Sequence, residues 1–160
     1  MTIHFILNGE DMEIHAEANQ RLITILREHF GLTASKSGCL HGNCGACSVI
    51  FNGAVSPSCL IPAFRLQGSE IITLEGFSQQ DEYQDIAKGF AEAGVENCGY
   101  CDAGKILCTE TLLESSLQPS KEEFLAAFQG IRCRCTDRES LYQGVLAAGA
   151  ARRRRVYGRP

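Results

Sequence analysis

Eight of the nine cysteines form two groups of four, one in each half of the 160-residue chain. The first group has the pattern C-x4-C-x2-C-x11-C and consists of Cys39, Cys44, Cys47 and Cys59. A run of three cysteines with this spacing and a later fourth is typical of a 2Fe–2S cluster. Because both irons need ligands, one loop wraps such a cluster and a distant residue closes its far side. The first group therefore predicts a centre for one-electron transfer.

Three glycines in the same loop support this prediction: Gly38, Gly42 and Gly45. Glycine lets the backbone pass close to a cluster, so that amide N–H groups point at its sulfurs. A structural zinc site is the alternative, although zinc ligands usually come as two short knuckles. Cys39-x-His41 is also half of a Rieske pattern, but the other half would need a histidine at Cys47. We therefore expect four thiolates here, with His41 close to solvent.

The second group has the pattern C-x2-C-x31-C-x-C and consists of Cys98, Cys101, Cys133 and Cys135. Each of its two pairs comes directly before a predicted helix. Helix N-termini carry unpaired N–H groups and a partial positive charge, so two of them converging would favour a negative four-thiolate cluster. The second group predicts a second 2Fe–2S cluster. The ninth cysteine, Cys108, lies among Ile106, Leu107 and Leu112 and is expected to be a buried core residue.

The elements that must position these cysteines change in character along the chain. Alternating apolar residues predict strands over 3–7 and 12–16, with a turn at Asn8-Gly9 between them. They also predict a hairpin over 48–56 that turns at Asn52-Gly53, and a strand over 70–76. A helix is predicted to begin at an Asn19 cap and to end at Gly31. These elements predict a small α+β domain.

The second half has helical periodicity throughout. Four helices are predicted, over residues 82–94, 103–116, 121–130 and 138–150. Ser120 with Glu123, and Thr136 with Glu139, have the spacing of capping boxes. The predicted organisation is an iron–sulfur domain over 1–77, a helical cluster-binding domain over 78–151 and a basic tail over 152–160.

Charge and hydropathy limit the partners and the location. Five of the 15 Lys and Arg residues fall in 152–160, which leaves 10 basic against 19 acidic residues elsewhere. An acidic body is a poor binder of nucleic acid. The basic tail is expected to be a solvated or disordered end, with docking on a partner subunit as the alternative. No apolar run is long enough to span a membrane, and the start has no signal-peptide pattern, so a cytoplasmic protein is expected.

With both cysteine groups identified, the sequence resembles the iron–sulfur subunits of the molybdenum hydroxylases, the family of xanthine dehydrogenase, aldehyde oxidoreductase and N-heterocycle hydroxylases. "GCLHGNCGACSV" followed by Cys59 resembles the family's plant-type loop, and "CGYC" with a later "CRC" resembles its second motif. The resemblance covers roughly residues 2–150. It implies a β-grasp ferredoxin-like domain followed by a four-helix-bundle-like domain, each with one 2Fe–2S cluster.

The resemblance also implies partners. The second cluster would adjoin the molybdopterin of a large subunit, and the first would face an FAD-binding medium subunit or another acceptor. Asn97 stands where the family usually has a glutamine whose amide reaches the pterin. Asp102-Ala103-Gly104 and Asp137-Arg138 depart from the usual Thr-Pro-Gly and Gly-Tyr. Either an unusual large subunit or loss of the pterin contact would explain these departures, and the eight retained cysteines favour the former.

The resulting hypothesis is an electron-transfer subunit without a substrate site or catalytic residue of its own. It would relay electrons from a molybdenum centre through two clusters, with xanthine or another purine as the expected substrate of the complex. The alternative is a free-standing two-cluster ferredoxin-like carrier.

Overall fold

The computed structural model describes residues 1–158 and has an α+β architecture with one five-stranded mixed sheet. Its strands are β1 Thr2–Leu7, β2 Glu10–His15, β3 Ser48–Phe51, β4 Ala54–Pro57 and β5 Glu70–Ile72. They lie in the order β2-β1-β5-β3-β4, with β1 and β5 parallel and the other neighbours antiparallel. Asn8-Gly9 and Asn52-Gly53 adopt the positive φ values that tight hairpins require, so both predicted turns are confirmed.

One helix packs on this sheet. It comprises α1, Leu22–Thr24, and a π-helical continuation over Ile25–His29. Its residue before the first turn is Arg21, so the predicted Asn19 cap is wrong. The apolar side chains of this helix fill the core under the sheet together with Ile3, Phe5, Val49 and Ile71.

The second half is helical, as predicted. The helices are α2 Leu74–Phe77, α3 Asp81–Glu92, α4 Asp102–Ser115, α5 Lys121–Ala127 and α6 Arg138–Tyr157. Residues 74–76, predicted as strand, belong to α2. The reason is a residue distant in the sequence, because the Asn8 side chain accepts from the Thr73 N–H at 2.8 Å, where the pairing of β5 ends.

The two predicted capping boxes have different outcomes. Ser120 and Glu123 form theirs at the start of α5, which confirms that prediction. Thr136 does not cap α6, because its Oγ1 exchanges hydrogen bonds with the backbone of Glu96. Asp137 caps α6 instead and accepts from the Ser140 N–H at 2.8 Å.

The C-terminal arginines are part of α6, so residues 152–157 are not a disordered end, although residues 154–157 are exposed as expected of a solvated one. Arg152 is 7% exposed and lies 2.5 Å from the Glu110 carboxylate. Arg155 binds Asp85 at 2.8 Å, so both arginines join α6 to the neighbouring helices. Residues 159 and 160 of the predicted tail lie outside the described residues.

The two halves share apolar packing. Ile50, Val55 and Ile72 of the sheet belong to the same core as Phe90 and Leu107 of the helices. None of the helices within residues 1–158 is long and apolar enough to cross a membrane.

Candidate metal centres

The first cysteine group lies in the irregular loop between the π-helical segment and β3. Leu40, Gly42 and Gly45 all have positive φ, which folds the loop back on itself. As a result, the Asn43 N–H donates to Cys39 Sγ at 3.2 Å, and the Cys39 N–H approaches Cys44 Sγ at 3.5 Å. The loop thus aims amide donors at sulfur, as a negatively charged cluster requires.

These donors act on the thiols. The N–H groups of His41, Asn43 and Cys44 lower the pKa of Cys39 to about 6. Burial and the adjacent Cys47 raise the pKa of Cys59 to about 11. The Cys39 thiol therefore ionises more readily than an ordinary thiol, whereas the buried Cys59 thiol ionises less readily.

The four sulfurs of the first group lie in two pairs. Cys39 is in hydrogen-bonding contact with Cys44, and Cys59 with Cys47. Cys39 also contributes to the raised pKa of Cys59, so the two pairs are close to each other. The structure thus brings together all four cysteines that the spacing selected.

The second group lies where α4 and α6 begin. Cys101 directly precedes α4, and Cys135 lies two residues before the Asp137 cap of α6. Cys101 contacts Cys133, and Cys98 contacts Cys135, which again gives two pairs. The two helix N-termini therefore converge as expected.

The pairs of the second group differ in burial. Burial and the Cys133 thiol raise the pKa of Cys101 to about 12. Burial acts to raise the pKa of Cys133, but the N–H groups of Thr136 and Cys135, the Cys101 thiol and the charge of Lys105 together lower it. Cys98 and Cys135 are exposed, so this centre has one edge at the protein surface.

This arrangement fits a 2Fe–2S cluster in each group. The two irons of such a cluster take two thiolates each, which matches two pairs of sulfurs. A zinc ion needs its four sulfurs around one point.

A direct backbone contact joins the two groups. The Arg132 N–H donates to the carbonyl of Cys44 at 3.0 Å, and Arg132 immediately precedes Cys133. A Cβ added to Gly104 would lie 2.6 Å from the Gly45 carbonyl oxygen, so the lack of a side chain at Gly104 allows a close backbone approach of the two halves there. One hydrogen bond thus connects a first-group cysteine to the residue that precedes a second-group cysteine.

The remaining residues singled out in the sequence are either buried in the core or exposed at the surface. Cys108 is buried in the helical core, as expected, and its Sγ lies 3.6 Å from the Ala127 carbonyl. His41 and Asn97 are exposed.

One buried residue near the second centre was not predicted from the sequence. Lys105 is fully buried three residues after Asp102. Its signal in the sequence is a charged residue within the otherwise apolar stretch "AGKILC".

Comparison with protein families gives two matches that together cover most of the chain. Residues 5–72 match a "2Fe-2S iron-sulfur cluster binding domain", and residues 73–146 match a "2Fe-2S binding domain". The matches meet close to the predicted boundary after residue 77.

Individual relatives agree over nearly the full length. The nicotinate dehydrogenase small FeS subunit of Eubacterium barkeri is 43% identical over 92% of this chain and 94% of its own. The structure of quinoline 2-oxidoreductase from Pseudomonas putida 86 matches with a TM-score of 0.83 and 34% identity, over 96% of both chains. Aldehyde oxidoreductase from Desulfovibrio desulfuricans matches with a TM-score of 0.85 and 32% identity, over 95% of this chain but 17% of that longer one.

Proposed function

This chain belongs to the iron–sulfur subunits of the molybdenum hydroxylases, and on that premise we propose how its residues carry the electrons. The first cluster is assigned to Cys39, Cys44, Cys47 and Cys59, and the second to Cys98, Cys101, Cys133 and Cys135. Each cluster, when bound, supplies a site that accepts and releases one electron at a time. The protein holds the two sites at a fixed separation and in different surroundings.

The hydrogen bond between Cys44 and Arg132 is the observation that carries this proposal. It joins the backbone of a first-group cysteine to the residue before a second-group cysteine at 3.0 Å. Such a contact gives electrons a short route between the groups. A pair of unrelated structural metal sites would not need it.

Each end of this route has exposed residues for a partner. Cys98, Cys135 and Asn97 are exposed at the second group, where we place the molybdopterin-binding large subunit and a contact between Asn97 and the pterin. Two large apolar side chains are exposed beside the first group: Leu40 in its loop, and Leu60, which follows Cys59. Exposed apolar side chains of this size suit a protein partner. We propose an FAD-binding subunit there.

The substrate of the complex is proposed more broadly than the sequence suggested. Nicotinate and quinoline, named in two relatives, are aromatic N-heterocycles, as are xanthine and the other purines. An N-heterocycle is therefore the proposed class, with xanthine and nicotinate as the compounds to assay first. A cytoplasmic location is proposed because nine free cysteines suit a reducing compartment.

The test is low-temperature EPR of the anaerobically purified, dithionite-reduced protein, with iron, sulfide and zinc measured on the same sample. We expect two distinct signals and about four irons per chain. One signal, or zinc without a signal, would overturn the two-cluster assignment. The free-standing carrier is not favoured, because the relatives include a named subunit and a part of a longer enzyme.

A further inference from the structure

Lys105 has the most unusual environment of any charged residue near the second centre. It lies in the first turn of α4, and its side chain is completely buried. Burying an ammonium group costs free energy unless the charge is paired, so lysine is almost never found in such a position without a partner. The local packing must therefore supply compensation for its charge.

Two partners provide it. The Lys105 ammonium donates to the carbonyl oxygen of Glu96 and lies 3.4 Å from Asp102 Oδ1. The other oxygen of Asp102 accepts from the Gly99 N–H at 2.8 Å. Lys105 and Asp102 therefore bind the backbone on either side of Cys98, at Glu96 and at Gly99, to the start of α4.

The charge of Lys105 also acts on the sulfurs. It opposes the larger effects of burial and of Cys133 that raise the pKa of Cys101, and it helps to lower the pKa of Cys133. Asp102 acts on Cys101 in the opposite direction and more weakly than Lys105. The Lys105 backbone N–H donates to the Cys101 carbonyl at 3.1 Å, so the buried ammonium group belongs to the helical turn that begins at Cys101.

We propose that Lys105 sets the reduction potential of the second cluster by presenting a buried positive charge to Cys101 and Cys133, an inference that rests on the proposed function. Reduction adds one electron and hence one negative charge to the cluster, and a fixed cation nearby stabilises that state. In the proposed complex the electron would come from the molybdenum centre of the large subunit, and no proton transfer would be required. Because the lysine is screened from water, its effect persists at high ionic strength.

The experiment is an EPR-monitored redox titration of the protein with both clusters, comparing wild type with Lys105→Met and Asp102→Asn. Methionine preserves much of the buried volume without the charge. We expect the ratio of reduced to oxidised second cluster at a fixed potential to fall about tenfold in Lys105→Met. For a one-electron couple, this corresponds to about 59 mV. Asp102→Asn keeps the acceptor for Gly99 and should raise the same ratio.

Opposite shifts distinguish a charge effect from a structural one. The first cluster serves as the internal control, and its ratio should stay unchanged in both variants. Equal shifts in both clusters, shifts of the same sign in the two variants, or no shift in Lys105→Met would overturn the proposal. If Lys105→Met does not retain the second cluster, Asp102→Asn decides alone, because only a raised ratio agrees with the proposal.

Lys121→Met is the matched surface control. Lys121 also pairs with a carboxylate, Glu139, but 60% of its side chain is exposed, so neither ratio should change. A wild-type protein without two signals would refute the proposed function itself. Two normal wild-type signals without the opposite shifts would refute only the role of Lys105.

Discussion

The nine cysteine residues differ mainly in the donors and neighbours around each sulfur. Cys39 receives several backbone N–H groups, and its pKa falls to about 6. Cys108 has no such donors among the described residues, and burial raises its pKa to about 12. A thiolate ligand and a core thiol can therefore be distinguished by their surroundings.

This difference predicts the outcome of two conservative substitutions. Cys135→Ser should remove the EPR signal of the second cluster and stop electron flow, because one iron loses a thiolate. Cys108→Ser should retain both signals, since a serine hydroxyl can donate to the Ala127 carbonyl that lies near Sγ. Low-temperature EPR of both variants checks this, and loss of either signal in Cys108→Ser would refute the ligand assignment.

At the scale of elements, α3 and α6 pack at unusually close range. A Cβ added to Gly89 of α3 would lie 2.2 Å from the backbone nitrogen of Ala148 in α6. No side-chain rearrangement could relieve that contact. The two helices can pack this closely because Gly89 has no side chain.

Gly89→Ala should therefore destabilise the protein although alanine favours helix formation. Overpacking should cost about 3 kcal/mol, against about 1 kcal/mol gained in helix propensity. Thermal unfolding followed by circular dichroism measures the difference. Gln84→Ala, at an exposed position of the same helix, is the control and should leave the midpoint almost unchanged.

The end of α6 is fixed by buried ion pairs. Arg152→Ala would leave the Glu110 carboxylate buried without its cation, which should cost about 3–5 kcal/mol. Arg154→Ala is the control, because Arg154 is half-exposed and 3.9 Å from Glu92, and it should cost less than about 0.5 kcal/mol. Equal losses in the two variants would contradict the assigned role of Arg152.

The loss in Arg152→Ala should also depend on pH. Burial raises the pKa of Glu110, and removing Arg152 removes the main opposing effect. A carboxyl group whose folded pKa is raised binds its proton more tightly in the folded state, so acid favours folding. The stability lost in Arg152→Ala should be largest above the raised pKa of Glu110 and should decrease as the pH falls through that pKa. Urea unfolding of wild type and variant across this range is the measurement.

Sequence reasoning succeeded where the signal was local. The Ser120–Glu123 capping box and the turns at Asn8-Gly9 and Asn52-Gly53 depend on neighbours in the chain, and all are present. It failed where a distant group competed, as when Glu96 bound Thr136 and left the α6 cap to Asp137. The burial of Arg152 depends on carboxylates far away in the sequence, so composition alone suggested a solvated end. The four-helix-bundle description and the ligand assignment remain predictions.

At the scale of the whole molecule, Gly45 and Gly104 form one of the places where the backbones of the two halves come close together. Gly104→Ala would place a Cβ 2.6 Å from the Gly45 carbonyl, so the backbones must separate. We expect a weaker magnetic interaction between the two reduced clusters, with both signals retained. Pulsed EPR measures this interaction. Gly130→Ala is the control, because nothing lies within 4 Å of its added Cβ.

The core shared by Ile50, Ile72 and the helices has a consequence for quality control in the cell. Because Ile50 and Ile72 of the sheet help to fill the core of the helices, unfolding of the first half would expose apolar side chains of the second. A subunit that fails to acquire its first cofactor and unfolds there should then present apolar segments of both halves to proteases. Incomplete carriers would be degraded before assembly, so that only chains able to conduct electrons from end to end enter the enzyme.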